Sequence, residues 1–198
     1  MRIQKMNKFK LTMIAIIMML GFINDSYGNT EVNGLYLTEN DYVNHKISYG
    51  YDPKSEQGNK MILHDFLEGK NVTIVINGKE QQFLKSEIFG YRKDGHDYRF
   101  NGNKAYEIVD TEGFYLYTHD KLEQLGKGLK PVTTFYFSIK ANSEILQLTQ
   151  QNIDKAFAGN YKFRYQVQAD LPTDRALETY DKVLNMYEIK EIYVESSK

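Results

Sequence analysis

Val72-Thr73-Ile74-Val75-Ile76-Asn77-Gly78-Lys79 is the stretch on which the fold class turns. Its first five residues are all β-branched and stiffen the chain into an extended strand. Asn77-Gly78 then supplies the two left-handed positions that a type I′ turn demands. Lys79 to Leu84 is the return strand. Two further pairs follow downstream. Glu87–Lys93 and Asp97–Phe100 flank the turn dipeptide Asp94-Gly95. Ala105–Val109 and Phe114–His119 flank Asp110-Thr111-Glu112-Gly113. Three successive hairpins with short turns predict an antiparallel meander.

Outward from this centre the signals are mixed. Thr38 with Asp41 three residues on is a capping-box pattern, which predicts a short helix over 39–45. Ile47–Tyr51 reads as a strand, followed by a polar loop over 52–60. Gly126-Lys127-Gly128 and Pro131 predict a break, followed by strands at 132–140 and 145–148. Thr149 is placed to cap a helix over 150–157. Tyr161, Phe163, Tyr165, Val167 and Ala169 alternate with polar residues, the period of a strand with one wet face. Ala176, Leu177, Tyr180, Val183, Leu184 and Tyr187 form a stripe of helical period, predicting an amphipathic helix over 174–187. Ile189–Val194 reads as a last short strand. The expected fold is one β-rich α+β domain over residues 29–198. In it an antiparallel sheet, open or partly closed, carries a C-terminal helix across one face.

Residues 1–28 read as a secretory signal peptide. Arg2, Lys5, Lys8 and Lys10 precede an apolar run from Leu11 to Ile23, and Ser26-Tyr27-Gly28 offers small residues for cleavage before Asn29. That run is shorter than the roughly 20 residues that span a bilayer. The reading is therefore export to the periplasm or beyond, with no transmembrane span after cleavage. The chain has no cysteine, which excludes a thiol nucleophile, a cysteine zinc site and a lipidated cysteine at the cleavage point. Net charge is −1 for the whole chain, and near −4 once the basic leader is removed. Nothing here makes a basic footprint for nucleic acid.

Three groups of motifs carry a resemblance. The chain opens its mature part with Gly34-Leu35-Tyr36-Leu37-Thr38-Glu39-Asn40-Asp41-Tyr42. It continues with Ile88-Phe89-Gly90-Tyr91-Arg92-Lys93-Asp94-Gly95 through Tyr98-Arg99-Phe100. It closes with Phe135-Tyr136-Phe137-Ser138 and Leu148-Thr149-Gln150-Gln151-Asn152. The series resembles a family of small exported uncharacterised bacterial proteins. The resemblance implies export and a β-rich domain, and it brings no activity, cofactor or site residue.

Candidate chemistry is sparse. His64, His96 and His119 each precede an aspartate. Imidazole beside carboxylate suits a metal or an acid–base site, but adjacent residues on a strand point to opposite faces. If strand ends converge, His96, His119 and Asp120 could share a cation; otherwise they are solvated turn residues. Glu107, Asp110 and Glu112 flank a turn, where acidic residues are common. No G-x-S-x-G, H-E-x-x-H or phosphate loop occurs, and no cofactor is implied. The 16 tyrosines are the compositional outlier. Tyr91, Tyr98, Tyr106, Tyr115 and Tyr117 fall on neighbouring predicted strands. On an exposed face they would form a platform for sugars or a protein; in the core they are packing. The leading expectation is an exported, non-catalytic or envelope-associated module that binds a protein, a glycan or an apolar molecule. The alternative is a small metal-dependent or hydrolytic enzyme using His96, His119 and nearby carboxylates. A third is a barrel with a cavity lined by Phe100, Ile108, Phe135, Phe137 and Phe163.

Overall fold

The computed structural model describes residues 32–54, 58–64 and 69–198. The proposed leader and its cleavage point lie outside these. The main body is an eight-stranded antiparallel sheet in the order β11-β10-β9-β8-β7-β6-β1-β2. Its strands are β1 (Asn33–Tyr36), β2 (Ser48–Tyr51), β6 (Gly90–Lys93), β7 (His96–Asn101), β8 (Lys104–Asp110), β9 (Tyr115–Leu125), β10 (Gly128–Ser138) and β11 (Leu146–Gln147). From β6 to β11 each strand pairs with the next, so this is the predicted meander. The hairpin that decided the class is present, as β4 (Asn71–Ile76) and β5 (Lys79–Leu84). It joins β3 (Lys60–Ile62) in a separate three-stranded sheet instead of opening the meander. The main sheet is open, with no closed barrel.

Asn77 and Gly78 take φ of 52° and 73°, as a type I′ turn requires. A Cβ on Gly78 would meet nothing within 4 Å, so a substitution there is opposed by backbone strain alone. Gly78→Val is expected to cost about 1–2 kcal/mol, read as a lowered melting temperature. Melting indistinguishable from the parent would refute the turn assignment.

Register and alternation assign the side chains of the main sheet to two faces. Leu35, Tyr91, Tyr98, Phe100 and Ala105 share one face, and with Val72 and Ile74 of the small sheet they form a core cluster. Farther along the same face Leu116, Phe135 and Phe137 pack beneath helices α2 (Gln150–Ala156), α3 (Tyr161–Asp170) and α4 (Glu188–Ser196). The opposite face carries Tyr106, Tyr117 and Tyr136, which pack with Ile145. Its edge is covered by α1 (Glu39–Val43), whose Tyr42 stacks on Phe89 and meets Tyr36 edge-on. The predicted capping box holds α1: Thr38 Oγ1 accepts from the Asp41 N–H, and Asp41 accepts from the Thr38 N–H.

Four expectations are corrected. Tyr161–Asp170 is a helix, not a strand. Phe163, Val167 and Leu171 are buried while Tyr161 and Tyr165 face solvent, so a spacing of four fits the core where a spacing of two does not. Asn160 caps it by accepting from the Phe163 N–H at 3.1 Å. Second, no helix covers 174–187. A 3₁₀ turn at Ala176–Glu178 leads into a small hairpin, β12 (Tyr180–Asp181) and β13 (Met186–Tyr187). Asp181 Oδ1 accepts from the Val183 and Leu184 N–H groups, and Asn185 has φ of 56°. Of the proposed stripe Leu177 is buried, whereas Val183 is 92% exposed and Leu184 lies at the surface. Third, the last element is helix α4, not a strand over 189–194: Ile189 and Ile192 are buried on the side that faces the sheet cluster. Fourth, Gly126-Lys127 is no break but the turn of the longest hairpin, β9–β10, with Gly126 at φ of 67°. The five proposed cavity residues are likewise distributed over three separate core clusters on both faces, so they line no common cavity.

Candidate functional site

The β9–β10 hairpin sets the geometry of the candidate site. The two strands stay paired over eleven positions, from Tyr115↔Ser138 to Leu125↔Gly128. Their neighbours are shorter. β8 accompanies β9 only to Glu107↔Thr118, and β11 accompanies β10 only at Tyr136 and Phe137. Beyond Thr118 the hairpin continues as a two-stranded arm. Where β8 and β9 part, His119 Nδ1 lies 2.9 Å from the Ala105 carbonyl oxygen. The parting opens a cleft of about 610 Å³. Tyr91, Tyr98, Ala105, Asp120 and Leu122 line it from one face of the sheet, with Asn103, Lys104, His119 and Lys121 around them.

Main-chain polarity in the arm follows from two observations. The Phe135 carbonyl turns away from β9 to accept from the Leu148 N–H at 2.9 Å. Pro131, of the same parity, has no N–H and faces Leu122. In an antiparallel ladder a residue turned away from its partner strand has an opposite residue that also turns away. The N–H and C=O groups of Asp120, Leu122 and Gln124 therefore point out of the arm, toward the side that β8 has vacated. The β8–β9 register ends at Glu107↔Thr118, so none of the three lies opposite a paired β8 residue. An unpaired strand edge is a template for a further strand.

The arm also exposes apolar side chains. Leu122 is 68% and Leu129 is 63% exposed. The register Leu122↔Pro131 and Gln124↔Leu129 puts Leu122, Leu129 and Pro131 on one face. Lys121, Glu123 and Lys130 occupy the other.

The sequence-predicted residues divide between two faces. Tyr91 and Tyr98 stack at 4.6 Å on the helix-bearing face. Tyr106 and Tyr117 lie on the other, Tyr106 edge-on to Tyr136 at 4.9 Å. Tyr115 joins them and meets Tyr42 at 6.3 Å. Tyr91, Tyr106 and Tyr117 are buried, so the five rings make no single exposed platform. Burial pushes the Tyr117 phenol up, which Ser138 and Arg99 partly oppose. Its hydroxyl lies 2.8 Å from Ser138 Oγ, and Arg99 donates to it at 3.2 Å.

The proposed cation ligands do not converge. Register places His96 and Asp120 on the face of Tyr98 and His119 on the face of Tyr106. His96 Nδ1 is 2.7 Å from Glu107, and Asp120 accepts from Thr133 Oγ1 at 2.7 Å. His64 meets Thr73 at 2.9 Å, while Asp65 lies outside the described residues. Among the described residues no three His, Asp or Glu side chains gather as a metal-binding group. Other carboxylates are similarly committed. Asp97 accepts from Tyr36 and Arg92, both at 2.8 Å, and burial with this contact pushes the Tyr36 hydroxyl up to about 12. Asp110 pairs with Lys190 at 3.1 Å.

The arm was not legible in the sequence. Its signals are the three leucines Leu122, Leu125 and Leu129 around a Gly-Lys-Gly turn, and these read equally as a loop. No helix among the described residues is long and apolar enough to cross a membrane. Comparison with known protein families, with curated proteins and with solved structures finds no match to this chain.

Proposed function

We propose that the mature chain is an exported, non-catalytic binding module that takes an extended polypeptide segment along the free edge of β9. Export rests on the leader pattern of residues 1–28 and on the family resemblance. The binding mode rests on one observation: outward-turned main-chain groups of Asp120, Leu122 and Gln124 beside an open cleft. Strand addition uses those groups for affinity and neighbouring side-chain pockets for selectivity. Tyr98 and Leu122 supply apolar contacts in the cleft, and Asn103 and Asp120 supply polar ones. A glycan is the second reading, favoured by the half-buried Tyr98 ring beside the same two polar side chains.

Leu122→Pro tests the mode selectively. The Leu122 N–H takes no part in the arm's own ladder, so proline removes only the outward donor. The expected result is binding of the wild type to a subset of an array of random seven-residue peptides. That binding falls at least tenfold in the variant while the circular dichroism spectrum stays unchanged. Equal binding by both proteins, or none by a wild type that is itself monomeric, would overturn the reading. A melting shift with oligosaccharides, absent with peptides, would favour the glycan.

A further inference from the structure

The two edges of the arm are not equivalent. The outer edge of β10 carries Pro131 at a position where its nitrogen faces outward. A proline there removes a donor and blunts the edge against pairing. The outer edge of β9 has no such block. From Asp120 to Gln124 it reads Asp-Lys-Leu-Glu-Gln, with Asp120, Leu122 and Gln124 presenting their main-chain groups outward.

That sequence is complementary to itself when run antiparallel. With a twofold axis at Leu122, the leucine faces Leu122 of the partner subunit. Lys121 then faces Glu123 of the partner subunit, and Asp120 faces Gln124 of the partner subunit. Each unlike pair occurs twice by symmetry, so two opposite-charge contacts form and no like charges meet. Leu122 and Asp120 have the outward polarity that a hydrogen-bonded antiparallel pair needs. The pairing also repairs what the arm lacks. A two-stranded ribbon is marginal in water. Joining two arms makes a four-stranded ribbon and brings the exposed Leu122, Leu129 and Pro131 of each copy onto one shared apolar strip. The self-complementary contact is the same patch on both copies, as a closed twofold interface requires.

Resting on the strand-addition reading above, we propose that the segment added to the β9 edge is the same segment of a second copy of this chain. The arm is thus a dimerisation device centred on Leu122, held by β9–β9 pairing and by reciprocal Lys121–Glu123 contacts.

Sedimentation velocity over a wide concentration range tests this. The expected result is a concentration-dependent dimer. Leu122→Pro should be monomeric throughout, with unchanged circular dichroism. Lys121→Glu sets glutamate against Glu123 of the partner subunit and should raise the dimer Kd about tenfold. Adding Glu123→Lys in the same chain exchanges the charges and should restore the dimer. This pair of variants also keeps the test decisive should the proline variant fold poorly. A monomer at every concentration would overturn the proposal, as would a dimer indifferent to both the proline and the charge exchange. A monomer that still binds array peptides through Leu122 would remove the second copy and leave strand addition standing. A wild type that neither dimerises nor binds peptide would remove both.

Discussion

Lys190→Met is expected to destabilise the protein by about 3–5 kcal/mol. Lys190 lies on α4 and is fully buried. Its ammonium pairs with Asp110 at 3.1 Å and donates to the carbonyl oxygens of Glu112, at 2.9 Å, and Phe114. It also stands 4.0 Å above the Phe114 ring. A single side chain thus ties the C-terminal helix to the turn between β8 and β9. The Glu112 N–H still donates to Asp110 and the Phe114 N–H to the Glu112 carbonyl, but methionine, of similar volume, takes the counter-charge from a partly buried carboxylate and the ammonium donor from the Phe114 carbonyl, which is the costly way to break such a pair. The readout is the denaturation midpoint at unchanged m-value. A loss below about 1 kcal/mol would mean that water replaces the ammonium. Asp110→Asn combined with Lys190→Met should cost less than the sum of the two single changes, because the groups are in contact.

The same lysine predicts a pH dependence. Burial pushes its ammonium down to about 8, against the opposing pull of Asp110. In the unfolded chain it holds its proton to about 10.4. Between those values the unfolded chain binds more protons, so stability rises with pH as the folded protein sheds the buried charge. Lys190→Met has no such proton, so its deficit relative to the wild type should widen from pH 8 to pH 10. A constant deficit across that window would contradict the burial of a charged amine.

Phe114→Ala is expected to cost about 3–5 kcal/mol. The residue is inaccessible to solvent and immediately precedes β9. Its ring meets Phe157 at 5.3 Å, Tyr193 at 5.3 Å, Phe137 at 6.1 Å and Phe163 at 6.2 Å. These partners come from the sheet, from the C-cap of α2, and from α3 and α4, so the cavity opens where four elements meet and none can collapse alone. Tyr165→Ala is the control. If Tyr161–Asp170 were a strand, Tyr165 would share the buried side of Phe163; on the helix it faces solvent. Its loss should therefore change stability by less than about 0.5 kcal/mol. A large effect at Tyr165 with a small one at Phe114 would invert the assignment of this core.

Much of this architecture is local, and local features are what the sequence by itself determined. Asn77-Gly78 and Asp94-Gly95 hold positive φ at their tips because those residues tolerate it. Thr38 and Asp41 satisfy each other's N–H groups, and Thr149 accepts from Asn152, because these side chains reach one helical turn ahead. The β-rich class, the meander and the absence of any thiol chemistry follow from such short-range rules and from composition. Tertiary structure decided the rest. Phe163 and Val167 fit a period of two as well as a spacing of four, and the aromatic pocket around Phe114 and Tyr193 selected the helix. The apolar residues from Ala176 to Tyr187 match a helical stripe, yet the sheet face was already covered by α2, α3 and α4, and the local turns at Asp181 and Asn185 prevailed. His96 and His119 are separated by strand register, which no spacing along the chain reveals. The projecting arm exists because β9 and β10 outrun their neighbours, and a strand's relative length is set by what pairs beside it.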